Sequence, residues 1–212
     1  DDEAVLLDLG LHMDNYIAYT DDSEDLQKEK DMSAEAMIRV NAVPNINQIR
    51  DLWPKVKAIC ISHAHLDHSG LVPYLFKMGF RGPVYCTAPT RDIMSLLQLD
   101  LIKIQRNEAK EPIYTSDDIK EMVKHTICLE YEEVTDITPD VRITLYNAGH
   151  MLGSALVHIH IGNGLHNMVY TADVKYGKTN MLSLADTNFP RLETLMIEAT
   201  YGGKDNIMPP SK

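Results

Sequence analysis

A chain of 212 residues with 44% hydrophobic and 24% charged residues has the composition of a folded globular protein, long enough for one large domain or two small ones. The net charge of −11 argues against broad, sequence-independent nucleic-acid binding by this chain alone, although bound divalent cations would offset several carboxylates. No apolar run approaches the roughly 18 residues of a membrane helix, and Cys60, Cys86 and Cys128, widely spaced and without a CxxC pair, read as reduced thiols of a cytoplasmic protein.

The chain opens on Asp1 with no secretory signal and enters an apolar strand at Ala4, so a fragment of a longer protein is expected. Ala4 to Leu9 reads as a buried strand. Asp8 near its end must be paired, as a carboxylate that orients neighbouring loops and holds an imidazole in one tautomer. Leu11 to Pro54 is the least regular region. Its charged run, Asp21 to Asp31, is expected to be a solvated loop or exposed helix face, and His12 to be structural. Short helices are expected from Ser33, as N-cap, to Val40 and from Asn45 to Trp53.

Val56 to Ile61 is short, apolar and β-branched, and predicts a buried strand. It runs directly into His63-Ala64-His65-Leu66-Asp67-His68, three imidazoles and a carboxylate within six residues, before a helix expected over Leu71 to Phe80 with Pro73 in its first turn. His63 and His65, two apart on an extended segment, project to one side. Asp67 and His68, where the chain turns, can face a second point nearby. Imidazole and carboxylate are ligands that zinc takes readily, and two facing points suggest two ions.

Val84 to Cys86 reads as a strand, and Thr90 to Ile104 as a helix with Ile93, Leu96, Leu97, Leu101 and Ile104 on its core face. A polar connector follows, then a helix capped by Ser116 and running to about Lys124. Strands are expected at Ile127–Leu129, Glu133–Ile137 and Val141–Tyr146. This alternation indicates an α/β protein. Asn147 to Ser154 is a loop that aims His150 from between Gly149 and Gly153, as a metal ligand is aimed. In the alternating strand Ser154–Ile161, His158 and His160 read as strand-face histidines, and Gly162-Asn163-Gly164 as a hairpin turn. Two further apolar strands, Met168–Asp173 and Thr194–Glu198, each finish on an acid, and open α/β sheets bind ligands beyond strand carboxyl ends. Asp173 is the candidate carboxylate shared by two metals, and Glu198 a candidate active-site acid.

These motifs resemble the metallo-β-lactamase superfamily, whose signature is HxHxDH. SHAHLDHSG, GHMLGSA and EATYGG narrow the resemblance to its β-CASP nucleases, most similar to the archaeal relatives of the cleavage and polyadenylation specificity factor nuclease. The resemblance covers about Val56 to Gly203 and implies an αββα sandwich, incomplete here. It lacks the family's opening strands, the cap and the carboxy-terminal part. The connection at about 11–54 is longer than usual, and the chain stops at the entry to the β-CASP domain. By resemblance, His63, His65 and His150 would hold one zinc, Asp67 and His68 another, and Asp173 would bridge them, with Asp8 in support. Catalytic roles would fall to Asp67, His68, Asp173 and Glu198, the last paired with a later histidine that acts as proton donor. The implied activity is two-zinc hydrolysis of RNA phosphodiesters, endonucleolytic, in 3′-end formation or transcription termination. Implied partners are RNA, RNA polymerase or other termination machinery, and a second copy in a homodimer. Alternatives are a 5′-3′ exoribonuclease of the RNase J kind, a thioesterase or lactonase on the same fold, and a non-catalytic scaffold subunit.

Overall fold

The apolar strand before the histidine cluster, β2 (Val56–Cys60), is the axis of the first of two sheets. The computed structural model describes residues 3–21, 32–108, 110–177 and 179–203; the expectation for the charged run falls, but for Asp21, outside the described residues. Beside β2 lie β1 (Ala4–Leu7) and β3 (Val84–Cys86), and β4 (Thr126–Cys128) completes a parallel sheet in the order β1-β2-β3-β4. Parallel neighbours need crossover connections. These are supplied by α1 (Met13–Thr20), α2 (Ala34–Arg39) and a 3₁₀ helix (Ile46–Lys55), then α3 (Leu66–Ser69) and α4 (Val72–Lys77), then α5 (Ala88–Asn107) and α6 (Ser116–Lys124). They cover one face of the sheet, where Met37, Ile59, Ile61, Leu75, Phe76, Met94 and Met122 form a dry core.

The second sheet contains β5 (Val134–Thr138), β6 (Val141–Asn147), β7 (Ala155–Ile161), β8 (His166–Tyr170) and β9 (Thr194–Met196), in that order. The first four form an antiparallel meander, and β9 joins β8 in parallel. Alternation along β7 sends Val157 and Ile159 inward against Ala58, Cys60 and Tyr85, so the two sheets meet face to face. Leu156 and Val169 face the other way, under Tyr146 and Phe189. This layering is the metallo-β-lactamase arrangement expected from the motifs, with helices on one sheet.

Local differences from expectation have identifiable causes. The irregular stretch after β1 contains α1, capped by His12, whose Nδ1 accepts from the Asn15 N–H at 3.3 Å. The Ser33 cap is present, accepting from the Ala36 N–H. The helix expected at Asn45–Trp53 is 3₁₀ and includes Pro54. That expected at Leu71–Phe80 is shorter, and is preceded by the separate turn α3, which carries Asp67 and His68. The cap of α6 is Thr115 rather than Ser116: the Thr115 hydroxyl accepts from the Asp118 N–H while the Asp118 carboxylate accepts from the Thr115 N–H. Helix α5 is rotated from its expected face. Leu96 is 66% and Ile104 46% exposed, whereas Gln98 and Gln105 are buried with Met94, Leu101 and Ile102. The layer beneath offers them partners, since Gln98 Nε2 donates to the Ser69 carbonyl and Gln105 Nε2 to the Tyr16 hydroxyl.

The expected hairpin at 162–164 joins β7 to β8, with Gly162 and Gly164 at positive φ. His158 and His160 are structural: one ring bonds the Arg191 carbonyl, the other the Asn167 side chain. Strands β8 and β9 stop at Tyr170 and Met196, so Asp173 and Glu198 stand on the loops after them rather than at their last positions. The cysteines are free thiols; Cys60 and Cys86 are buried. Among the described residues, no helix is long and apolar enough to cross a membrane.

Candidate metal centre

Among the described residues, five loops reach one rim between the sheets, each leaving the carboxyl end of a strand. Asp8 follows β1, the histidine cluster follows β2, His150 sits between β6 and β7, Asp173 follows β8 and Glu198 follows β9. The β2 direction persists one step past the strand, because the Ile61 N–H donates to the Tyr85 carbonyl. The Ala155 N–H then donates to the Ser62 carbonyl, which ties the cluster to the second sheet. Helix α3 begins after His65 and carries Asp67 and His68, and the His68 ring packs against that of His63 with centroids 4.1 Å apart.

Three imidazole nitrogens converge. His63 Nε2 is 3.1 Å from His65 Nδ1, which is 3.2 Å from His150 Nε2. Asp173 Oδ2 closes the figure, 3.8 Å from His63 Nε2 and 3.5 Å from His150 Nε2. A tetrahedral zinc with ligands about 2.1 Å away has donor-to-donor edges of about 3.4 Å, so this donor set fits zinc. Burial, then the neighbouring imidazoles of His68, His150 and His65, drive the His63 pKa down to about 2, so the ring is neutral, as a metal ligand must be. Burial likewise lowers His150, partly opposed by Asp173.

The second donor set is Asp67, His68 and Asp173. His68 Nε2 lies 3.7 Å from Asp67 Oδ2 and 3.5 Å from Asp173 Oδ1. The two oxygens of Asp173 thus face different donor sets, the geometry of a bridging carboxylate. Burial alone would lower the His68 pKa. The hydrogen bond to Asp8 and the charges of Asp8, Asp67 and Asp173 outweigh it and leave the ring raised above 6.5. A proton there is the cation that a metal ion would replace.

Asp8 organises both sets. Its Oδ1 accepts from the Ser62 N–H at 2.7 Å. Its Oδ2 accepts from the Ser62 hydroxyl at 2.6 Å and the Tyr170 hydroxyl at 2.9 Å, and lies 2.8 Å from His68 Nδ1. The Ser62 hydroxyl has given its one proton to Asp8, so it accepts from His63 Nδ1 at 3.0 Å. Both rings therefore carry a proton on Nδ1, and His63 presents its Nε2 lone pair to the site. Asp8 adopts a positive φ of 54°, and Ala172, just before Asp173, one of 46°; such backbone strain gathers where a site dictates geometry.

The His150 loop is held equally firmly. The Ser154 hydroxyl accepts from the N–H groups of His150 and Met151, and the Thr87 and Thr90 hydroxyls donate to the Gly153 carbonyl. Glu198 stands beside the donors, not among them. Its Oε1 accepts from the Val174 N–H, next to Asp173. Burial would raise its pKa; that hydrogen bond and those from Thr200 prevail and lower it. His12 lines a groove, with Gly10, Asn45, Asp67, His68 and Tyr170, that leads to the second donor set.

Sequence reasoning singled out His63, His65, Asp67, His68, His150, Asp173 and Asp8, and the fold brings all seven together. It missed Ser62, Tyr170 and Gly10. Ser62 adjoins the motif and Gly10 closely follows Asp8, but Tyr170 is an aromatic strand residue with no local signal of its role.

A family model described as a metallo-beta-lactamase superfamily domain matches residues 30–199. Among curated proteins, the chain is 54% identical over 169 residues to a transcription termination factor FttA of Methanothermobacter thermautotrophicus, covering 80% of this chain and 27% of that protein. It is 59% identical over 154 residues to the factor of the same name from Pyrococcus abyssi, covering 72% and 24%. The chain thus spans about a quarter of the length of these relatives. A crystal structure of a protein of unknown function from Enterococcus faecalis shares the fold, with a TM-score of 0.53 at 19% identity over 84% of this chain and 39% of that one. With the superfamily domain matching most of its length and the HxHxDH donors gathered at one rim of the stacked sheets, the chain belongs to the metallo-β-lactamase superfamily.

Proposed function

We propose that this chain carries the metal-binding core of a zinc-dependent ribonuclease of the β-CASP branch, acting on RNA in 3′-end formation or transcription termination. The observation that carries this reading is Asp173, whose two oxygens face two donor sets, one of three imidazoles and one of Asp67 and His68. Metal-dependent hydrolase chemistry is the general property of the superfamily. RNA as substrate, the termination role and contact with the transcription machinery are proposed from the names of the curated relatives and from the EATYGG and GHMLGSA motifs. Endonucleolytic cleavage, a homodimer, a cytoplasmic location and a variable segment at about 11–54 of a partial domain belong to the same proposal.

Bound at these donors, two zinc ions would supply Lewis acidity for a phosphoryl oxygen and an acidified water near neutral pH. The chain's own residues do the positioning. Asp8 fixes the His63 and His68 rings, Ser154 aims His150, and Glu198 holds the Val174 N–H and so the Asp173 turn. In the whole enzyme Glu198 also orients a later histidine that protonates the leaving oxygen. The groove beside Gly10 and Asn45 admits the substrate to Asp67 and His68.

Among the described residues, four donors face one ion but only Asp67, His68 and the shared Asp173 face the other. The second ion is therefore expected to bind more weakly, and RNA cleavage by the 212-residue chain to be slight. The decisive experiment is elemental analysis plus a labelled-RNA cleavage assay on the full-length protein and its His68→Ala variant. Two zinc ions per chain and loss of cleavage in the variant are expected. Zinc-free protein, or undiminished cleavage by His68→Ala, overturns the reading.

A further inference from the structure

Away from the metal donors, Cys86 and Cys128 are direct partners in the β3–β4 ladder. Neighbouring strands lie about 4.8 Å apart, inside the Cα separation of roughly 4.4–6.8 Å that a disulfide spans. In-register partners project to the same face, and Cys86 packs in the helix-side core, so both thiols lie side by side under α5. Cys86 is fully buried. Cys128 is half-buried on β4, the edge strand of its sheet. The groups facing Cys128 are the Cys86 thiol from β3 and Arg91 and Asp92 from the first turns of α5.

We propose that Cys86 and Cys128 form a reversible dithiol–disulfide site, in which Cys128 is the nucleophile toward a peroxide and Cys86 the resolving thiol. The assignment of roles follows from the surroundings. The hydrogen bond from Cys86, then the Arg91 guanidinium, favour the Cys128 thiolate against burial and Asp92, and bring its pKa down to about 6. The same hydrogen bond, donated by Cys86, and burial hold the Cys86 thiol protonated. The Cys128 thiolate attacks one peroxide oxygen, the O–O bond breaks and hydroxide leaves. Sulfur gives up two electrons and becomes a sulfenic acid. The Cys86 sulfur then loses its proton and displaces the sulfenic oxygen as water, closing the S–S bond. Such pairs in reducing compartments are transient and redox-sensing rather than structural.

The test is peptide-resolved mass spectrometry of the folded, reduced protein. Against an ordinary thiol of pKa about 8.5, the Cys128 thiolate is some seventyfold more populated at pH 6.5. The lower nucleophilicity of a less basic thiolate takes back roughly tenfold. Alkylation of Cys128 by iodoacetamide at pH 6.5 is therefore expected to run about fivefold faster than that of an unstructured cysteine peptide. Stoichiometric hydrogen peroxide is expected to yield a Cys86–Cys128 cross-linked peptide that dithiothreitol reverses and that Cys86→Ser abolishes. Alkylation of Cys128 at or below the peptide's rate, or its oxidation to sulfinic acid in the wild type without the cross-link, overturns the proposal.

Discussion

Gly10→Ala isolates the way the fold positions half of the metal centre. A Cβ at position 10 would lie 1.9 Å from both the carbonyl carbon and oxygen of Asp67 and 2.3 Å from the His68 nitrogen. Carbons in contact sit about 3.5 Å apart, so the loop after β1 and the α3 turn must separate by more than about 1 Å. Three hydrogen bonds oppose that: the Leu9 N–H to the His68 carbonyl, the Leu11 N–H to the Leu66 carbonyl, and the Leu71 N–H to the Leu9 carbonyl. Overpacking costs about 1–3 kcal/mol, and with a rigid backbone on both sides the upper end applies. At about 2–4 °C per kcal/mol for a chain of this size, Tm is expected to fall by about 10 °C.

The metal consequence is sharper, because ligand distances tolerate only about 0.2 Å. Asp67 and His68 move with the clash. His63, His65 and His150 are held by β2 and the β6–β7 loop and stay in place. Calorimetric titration of zinc into the metal-free protein is expected to show a tight and a weak event in the wild type, and only the tight event in Gly10→Ala. Gly177→Ala serves as the control, since among the described residues its Cβ would meet only the end of the Lys175 side chain, Cε at 3.7 Å. A Gly10→Ala protein that keeps both events, with Tm within about 2 °C of wild type, refutes the argument that this close approach sets the second donor set.

Asp8→Asn leaves at least one of four donors facing another donor, and releases the His63 and His68 tautomers. Zinc affinity is expected to drop about 10–100-fold, measured by competition with a chromophoric chelator; an unchanged affinity contradicts the organising role of Asp8. Thr115→Ala removes the α6 cap, which is worth about 1 kcal/mol, so Tm should fall by about 2–4 °C with zinc binding untouched; Ser116→Ala should leave both alone. Stripping zinc with EDTA from protein held near 100 Kd of free metal removes about 2.7 kcal/mol. The thermal transition should fall by about 5–10 °C and return on re-addition, and equal transitions in both states would speak against a resident ion.

Much of the centre was legible because its signals are local. HxHxDH after an apolar run places two imidazoles on one side of an extended segment and the next pair across a helical turn, whatever the rest of the chain does. Strand positions were legible for the same reason, since alternation and β-branching are read over five or six residues. The rotation of α5 was not. A helix presents whichever face finds partners, and the Tyr16 hydroxyl and Ser69 carbonyl that accept from Gln105 and Gln98 lie 89 and 29 residues away.

By itself, then, the sequence determined the donor types, their spacing along each loop and the alternation of strands and helices, because these depend on neighbours within a turn or two. Only the tertiary structure decided which atom of each donor faces which. Asp8 commands two imidazoles, His63 through the Ser62 hydroxyl and His68 by a direct hydrogen bond, Tyr170 reaches it from the second sheet, Gly10 must lack a Cβ, and Cys86 meets Cys128. Each of these pairings is a matter of strand register and sheet stacking. Register and stacking are set by burying whole apolar faces together, so no short stretch of the chain contains them.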